Sequence, residues 1–358
     1  GKRYRKKMKK SKLSVALLTA CMAATLLAGC GDKKTETTEA TTEATTEAAT
    51  EAATTTEATV ADATASEADA DEDENYETGD ASLDNVRNQD EIGDNELLLL
   101  LVTVKERTTE IGIRRAIGAI ENAMEKAFPD YSVRRGFTSQ IIIDHVKRRD
   151  GIAIDNMAEA LDRAVDNGVK NLVIQPTHLM NGLEYTDVVN EVGDYADAFD
   201  QVVIGDPLLT SDEDFDEVVK AITDATAEYD DGETAICFMG HGTEADSNEV
   251  YQKMQDKLTD AGFENYFVGT VEATPSVDDV LAKVQAGDYK KVVLEPLMIV
   301  AGDHANNDMA GDEEGSWKTT FEDAGYDVTC LVRGLGELPA IQDIFVKHAQ
   351  AAIDKLNK

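Results

Sequence analysis

Beyond residue 95, short runs of branched apolar residues alternate with stretches whose apolar positions recur every three or four residues. "ELLLLLVTV" precedes "AIGAIENAMEKAF", and "MAEALDRAVDNG" leads into "VKNLVIQP". "TAICFMG" is followed by "NEVYQKMQDKLTDAG" and "YFVGTVE" by "SVDDVLAKVQAG"; then come "YKKVVLEPLMIV" and a closing "LPAIQDIFVKHAQAAIDKL". Unbroken apolar runs suit strands buried on both faces, and the longer period suits helices lying over them. Strand then helix, repeated, predicts an α/β fold of parallel sheets flanked by helices.

The pattern occurs twice. "VKNLVIQPTHLMNG" and "YKKVVLEPLMIVAG" align without a gap at an offset of 120 residues, with Lys170 on Lys290, Pro176 on Pro296 and Gly182 on Gly302. An internal duplication predicts two similar Rossmann-like lobes, 96–230 and 231–358, with a cleft between them. Open α/β sheets bind ligands beyond the carboxyl ends of their strands, so the site is expected there.

The first quarter has another composition. "KRYRKKMKKSK" is basic, "LSVALLTACMAATLLAG" is apolar but too short to span a bilayer comfortably, and Cys30 follows Leu27-Ala28-Gly29. This pattern reads as a lipoprotein signal over residues 1–29, with Met8 as the natural start and Leu27 to Cys30 resembling a lipobox whose cysteine becomes acylated. Residues 30–95 are then a tether rich in Thr, Glu and Ala. Residues 32–96 hold 21 acidic and 3 basic side chains, net −18. With so little apolar area and so much like charge, the segment is expected to stay extended, holding a domain away from an anionic membrane.

Residues 97–358 carry 50 acidic and 23 basic side chains, net −27, which argues against nucleic acid as a partner and suits attraction of metal cations. With Cys21 in the signal and Cys30 lipidated, Cys237 and Cys330 remain, both in strand-like runs and in no CxxC pair. Two free thiols are expected rather than a thiolate metal cluster.

Three potential ligands follow strand ends of the second lobe. His241 follows "TAICFMG" in "GHGT", Glu272 ends "YFVGTVE", and His304 lies in "GDHANND"; the intervals are 31 and 32 residues, about one βαβ unit each. They are expected to converge. Two imidazoles and a carboxylate suit Fe, Co, Ni or Zn better than Ca or Mg, and three protein ligands leave positions open for exchange. Taken singly, each residue reads equally as a turn residue or helix cap.

"FMGHGT", "GTVE", "LEPLMIVAGDHANNDMAG" and "SWKTTFEDAGYDV" together resemble the anaerobic cobalt chelatase family, the CbiK-type sirohydrochlorin cobaltochelatases. The resemblance covers nearly all of the folded part and implies a class II chelatase-like fold. It implies a tetrapyrrole held between the lobes, with His241, Glu272 and His304 binding the incoming metal. Co²⁺, or Fe²⁺ or Ni²⁺, would be a substrate, with no tightly bound cofactor. Insertion also removes two pyrrole N–H protons, so His241 and His304 are expected as catalytic groups and Glu272 as a ligand or relay. The polycarboxylate substrate calls for hydrogen-bond donors: Arg134 and Arg135 in "VRRGFTSQ", Arg333 in "VRGLG", and His178 in "QPTHLMNG", which matches a family motif. A homo-oligomer stays open.

In the first lobe the resemblance implies a Gly-Thr-Ser loop after the first strand. "VTVKERTTEIGIRRAIGA" stands there instead, similar to a signature of MacB/FtsX-type transporter permeases, with Lys105 and Arg107 where glycine-rich backbone would meet the ligand. Two other classes remain open: a lipid-anchored protein that captures tetrapyrrole, haem or metal for uptake, and a hydrolase using His241. Turnover against stoichiometric binding separates the first from a chelatase. No Ser or Cys nucleophile motif accompanies His241 for the second.

The N-terminal reading generates a direct test. Cys30→Ser is expected to release the protein from membranes or block its processing, as read by fractionation. A variant as membrane-bound as the parent would show that Cys30 is not the anchor.

Overall fold

The computed structural model describes residues 93–101, 110–140, 143–144, 147–148 and 154–356. The signal-like segment, Cys30, the tether, Lys105 and Arg107 lie outside the described residues. In chain order the elements are β1 (Asn95–Leu101), α1 (Glu110–Ala127), β2 (Ser132–Phe137), α2 (Met157–Asp166), β3 (Asn171–Pro176), α3 (Leu183–Gly193), β4 (Gln201–Ile204) and α4 (Asp212–Thr226). The second half follows with β5 (Thr234–Gly240), α5 (Glu249–Asp260), β6 (Tyr266–Thr270), α6 (Val277–Gln285) and β7 (Lys291–Pro296). A π-helical turn (Ala305–Met309), α7 (Trp317–Asp323), β8 (Asp327–Cys330) and α8 (Pro339–Leu356) close the chain.

Each half forms a four-stranded parallel sheet of the same topology, β2-β1-β3-β4 and β6-β5-β7-β8. The duplicated segments hold equivalent strands, since β3 and β7 span the same stretch at the 120-residue offset and take the same place in their sheets.

Burial explains the unbroken apolar runs. Successive strand residues point to opposite faces, and both faces are covered. Leu97, Leu99, Ile236, Phe238 and Val293 face a central core shared by the two sheets with Phe215 and Ile222 of α4 and Phe345 of α8. Leu98 and Ile174 face an outer core with Leu161 of α2 and Val188 of α3. Cys237 and Met239 face another with Val280 of α6 and Trp317 of α7. Burial pushes the Cys237 thiol up; Cys330 is half-buried, and both thiols are free.

Helix starts follow local chemistry. Asn156, Ser211 and Ser276 each accept from the backbone N–H three residues on, while Glu159, Asp214 and Asp279 reach back to the cap's own N–H. These capping boxes fix where α2, α4 and α6 begin.

The sequence divides into lobes at about residue 230, but the last helix crosses that line. α8 packs on β3 and β4 and against α1 and α4 of the first half. Two buried hydrogen bonds secure it: His348 Nε2 lies 2.8 Å from Asp214 Oδ1, and His348 Nδ1 lies 3.1 Å from the Asp206 carbonyl. Among the described residues, no helix is long and apolar enough to cross a membrane.

Candidate metal centre

The parallel ladder of β5 and β6 runs past the strand ends. Val271 N–H donates to Gly240 O at 3.0 Å and Glu272 N–H to His241 O at 2.9 Å, so backbone pairing sets the two candidate ligands side by side. The following loop is tied down by Thr270, whose N–H and Oγ1 both donate to Pro275 O, and by Asn248 Nδ2 donating to Thr274 O.

The two glycines flanking His241 have separate causes. A Cβ at Gly240 would stand 2.0 Å from the Tyr251 ring. Gly242 has φ +88°, and a Cβ there would come within 2.8 Å of Ala273 N. Only glycine meets both demands, positive φ and close approach of backbone to backbone. The Gly242 N–H, turned inward, donates to the Tyr251 hydroxyl at 3.2 Å.

His304 follows β7 and sits at the N-terminal end of the π-helical turn. Its ring centroid lies 4.7 Å from that of His241, with the planes at 85°. His241, Glu272 and His304 offer ligand atoms that all lie within 4.8 Å of one another. The spacing could hold one metal ion. The hydrogen bonds also select which nitrogen does so. His241 Nδ1 contacts the Gly242 carbonyl at 2.8 Å, and His304 Nδ1 contacts Asp308 Oδ2 at 2.6 Å. Both partners can only accept at neutral pH, so each neutral ring carries its proton on Nδ1 and leaves the Nε2 lone pair for a metal. Glu272 Oε2 sits 3.8 Å from His241 Nδ1, too far to compete with the carbonyl.

His241 and Glu272 line a cleft of about 820 Å³ with residues from both halves of the chain. Its apolar side is the buried run Leu297, Met298, Ile299 and Val300, together with Leu179 and Met180. Leu183, at the start of α3, also lines it and is 68% exposed, an apolar surface presented to whatever enters. His178 lines the cleft too, just past the end of β3. It is 3% exposed, has no hydrogen-bond partner on either nitrogen, and its ring meets Tyr185 edge-on at 6.2 Å. Burial lowers its pKa to about 4, so it is neutral at physiological pH.

The three expected arginines are placed elsewhere, and none lines the cleft. "SVRRGF" forms the wholly buried strand β2. Arg135 forms a bidentate pair with Glu121 of α1, at 2.7 and 2.6 Å. Arg134 donates to the Val133 carbonyl and places its charge near buried Glu96. Arg333 forks onto Glu295 of β7 at 2.6 and 3.3 Å and donates to Ala225 O. Arg135 and Arg333 each pair with an interior carboxylate, because a buried charge without a partner is far costlier than a paired one. Sequence reasoning missed the acidic face of α3, with Glu184, Asp187 and Glu191 lining the cleft; their spacing of three and four residues was the available signal. It also missed Asp308, one helical turn after His304.

The sequence model of the cobalt chelatase (CbiK) family matches residues 100–354. A sirohydrochlorin cobaltochelatase of Salmonella typhimurium strain LT2 is 37% identical over 238 residues, covering 66% of this chain and 89% of that protein. The sirohydrochlorin cobaltochelatase CbiKC of Nitratidesulfovibrio vulgaris strain Hildenborough is 30% identical over 242 residues, covering 66% and 84%. Among solved structures, SirB from Bacillus subtilis with Fe³⁺ is similar with a TM-score of 0.51 at 12% identity, covering 74% of this chain and 98% of that one. At that identity the likeness is one of fold.

Two outcomes follow from the geometry. Asp308→Ala frees the His304 ring to turn and to change tautomer, and is expected to weaken Co²⁺ binding roughly tenfold to a hundredfold by calorimetry. The second concerns pH. Above 6.5 His178 is neutral whether the chain is folded or not; as pH falls toward 4, only the unfolded chain takes up the proton. Stability should therefore decline across that window by up to ~3 kcal/mol on this account. His178→Leu should flatten that part of the curve in urea titrations.

Proposed function

Because the chain belongs to the cobalt chelatase family, we propose that it inserts a divalent metal, Co²⁺ or Fe²⁺, into a tetrapyrrole of the sirohydrochlorin class held in the cleft. The observation that carries this reading is the convergence of His241, Glu272 and His304 beside that cleft. In it the two Nε2 atoms and a Glu272 oxygen take the cation from its hydration shell. Three protein ligands leave coordination positions for the pyrrole nitrogens. Of the macrocycle nitrogens that bond the metal, two lose a proton as the protein ligands let go. The macrocycle lies against Leu297 to Val300 and Leu183, burying apolar area in place of water.

The hydrogen bonds bear on which group takes the protons. A histidine that donates through Nδ1 and ligates through Nε2 has no lone pair left, so His241 and His304 act as ligands and not as bases while the metal is held. Glu272 has a second oxygen when the first ligates, and at 56% side-chain exposure it can pass a proton to solvent. Glu272 is therefore the acceptor in this reading. His178 offers neutral hydrogen-bonding capacity to the tetrapyrrole from the first half of the chain. Cys30, following the basic flank and the apolar run, would anchor the mature protein by lipid outside the cytoplasmic membrane.

His241→Ala and His304→Ala should each lower the insertion rate at least roughly a hundredfold while the fold survives, as followed anaerobically by the absorption spectrum of sirohydrochlorin and by circular dichroism. Glu272→Gln should keep measurable Co²⁺ binding yet lose insertion. A Co²⁺-soaked crystal with the ion away from these three residues would overturn the assignment, and stoichiometric binding without turnover would favour a carrier.

A further inference from the structure

The described lining of the cleft has a charge that the proposed substrate does not match. Glu184, Asp187 and Glu191 line it from α3, and Glu244 and Glu272 line it from the second half of the chain. Among the described lining residues there is no lysine or arginine. His178, the one buried polar side chain without a partner among the described lining residues, is neutral and offsets none of this. A buried imidazole with two unsatisfied nitrogens is nevertheless a place where an entering ligand gains hydrogen bonds that the empty cleft lacks.

A macrocycle bearing several carboxylates enters such a field against repulsion, whereas a divalent cation is drawn in by it. A cation on His241, Glu272 and His304 would cancel two of the five negative charges. We propose that Glu184 and Asp187, on the cleft face of α3, impose an order on binding: the divalent cation first, and the polycarboxylate macrocycle only onto the metal-loaded cleft. The proposal rests on the chelatase reading and adds to it the charge-based selection of substrate and sequence of entry. By linkage, the two ligands raise each other's affinity by the same factor. Carboxylates of the bound macrocycle point outward to solvent, and its apolar faces meet Leu183 and Leu297 to Val300.

The test uses the full chain and two free-base porphyrins that share a macrocycle core and differ in charge, the octacarboxylate uroporphyrin and the dicarboxylate deuteroporphyrin. Binding is read by fluorescence in chelator-treated, metal-free buffer. Uroporphyrin should bind at least roughly tenfold more weakly at low salt, and the gap should narrow severalfold in about 0.5 M KCl, where screening is within a few ångströms. Glu184→Gln with Asp187→Asn should narrow it similarly without salt. In single-turnover mixing with sirohydrochlorin, protein preloaded with Co²⁺ should react severalfold faster than protein preloaded with tetrapyrrole, and the double variant should lose that difference. Uroporphyrin affinity that falls with salt, or that the double variant leaves unchanged, would overturn the proposal while leaving the chelatase reading intact. A parent chain that binds Co²⁺ but neither porphyrin would overturn both.

Discussion

Two backbone hydrogen bonds, Val271 to Gly240 and Glu272 to His241, extend a parallel ladder beyond the strands that start it. The rest of the site depends on them. Side-chain ligands on separate loops would each need ordering, whereas here the sheet that forms the core also sets the distance between a histidine and a glutamate. The glycines follow from the same constraint: the chain can make those bonds only if Tyr251 and Ala273 approach closer than a Cβ allows. Of the three candidate ligands, His304 is the one brought from another crossover, and it has its own support in Asp308.

The strands and helices with strong periodicity were legible in the sequence, as was the duplication, because a strand covered on both faces needs apolar side chains at every position and a helix lying over it needs them on one side alone. β2 was not. Its "SVRRGF" has neither an apolar run nor a strict alternation, and its Arg135 is buried against Glu121 on α1, a pairing fourteen residues away that no local pattern signals. Arg333 misled for the same reason, since its partner Glu295 lies inside a run that reads as purely apolar. The convergence of His241, Glu272 and His304 was legible because residues after strand ends, one βαβ unit apart, meet at one sheet edge. What the sequence could not supply was tautomer, orientation and the charge of the opposite side, all of which arise from contacts between elements.

The duplicated halves show how a shared backbone diverges in chemistry. Gln175 and Glu295 occupy the same place before the proline of β3 and β7. Gln175 donates to the carbonyls of Pro176 and Asp206, while Glu295 receives Arg333. His178 and Met298 are likewise 120 residues apart, and both line the cleft. One half supplies an imidazole and the other a thioether.

The crossing of α8 bears on how the chain is made. Its side chains cover β3 and β4, which are synthesised about 150 residues earlier. Until the last helix emerges, the central face of the first sheet lacks its cover, so the first half cannot finish folding while the second is still being translated. The molecule is read out as two similar units but completed as one, and a ribosome stalled anywhere before the final helix would leave an exposed apolar sheet for chaperones or proteases to find.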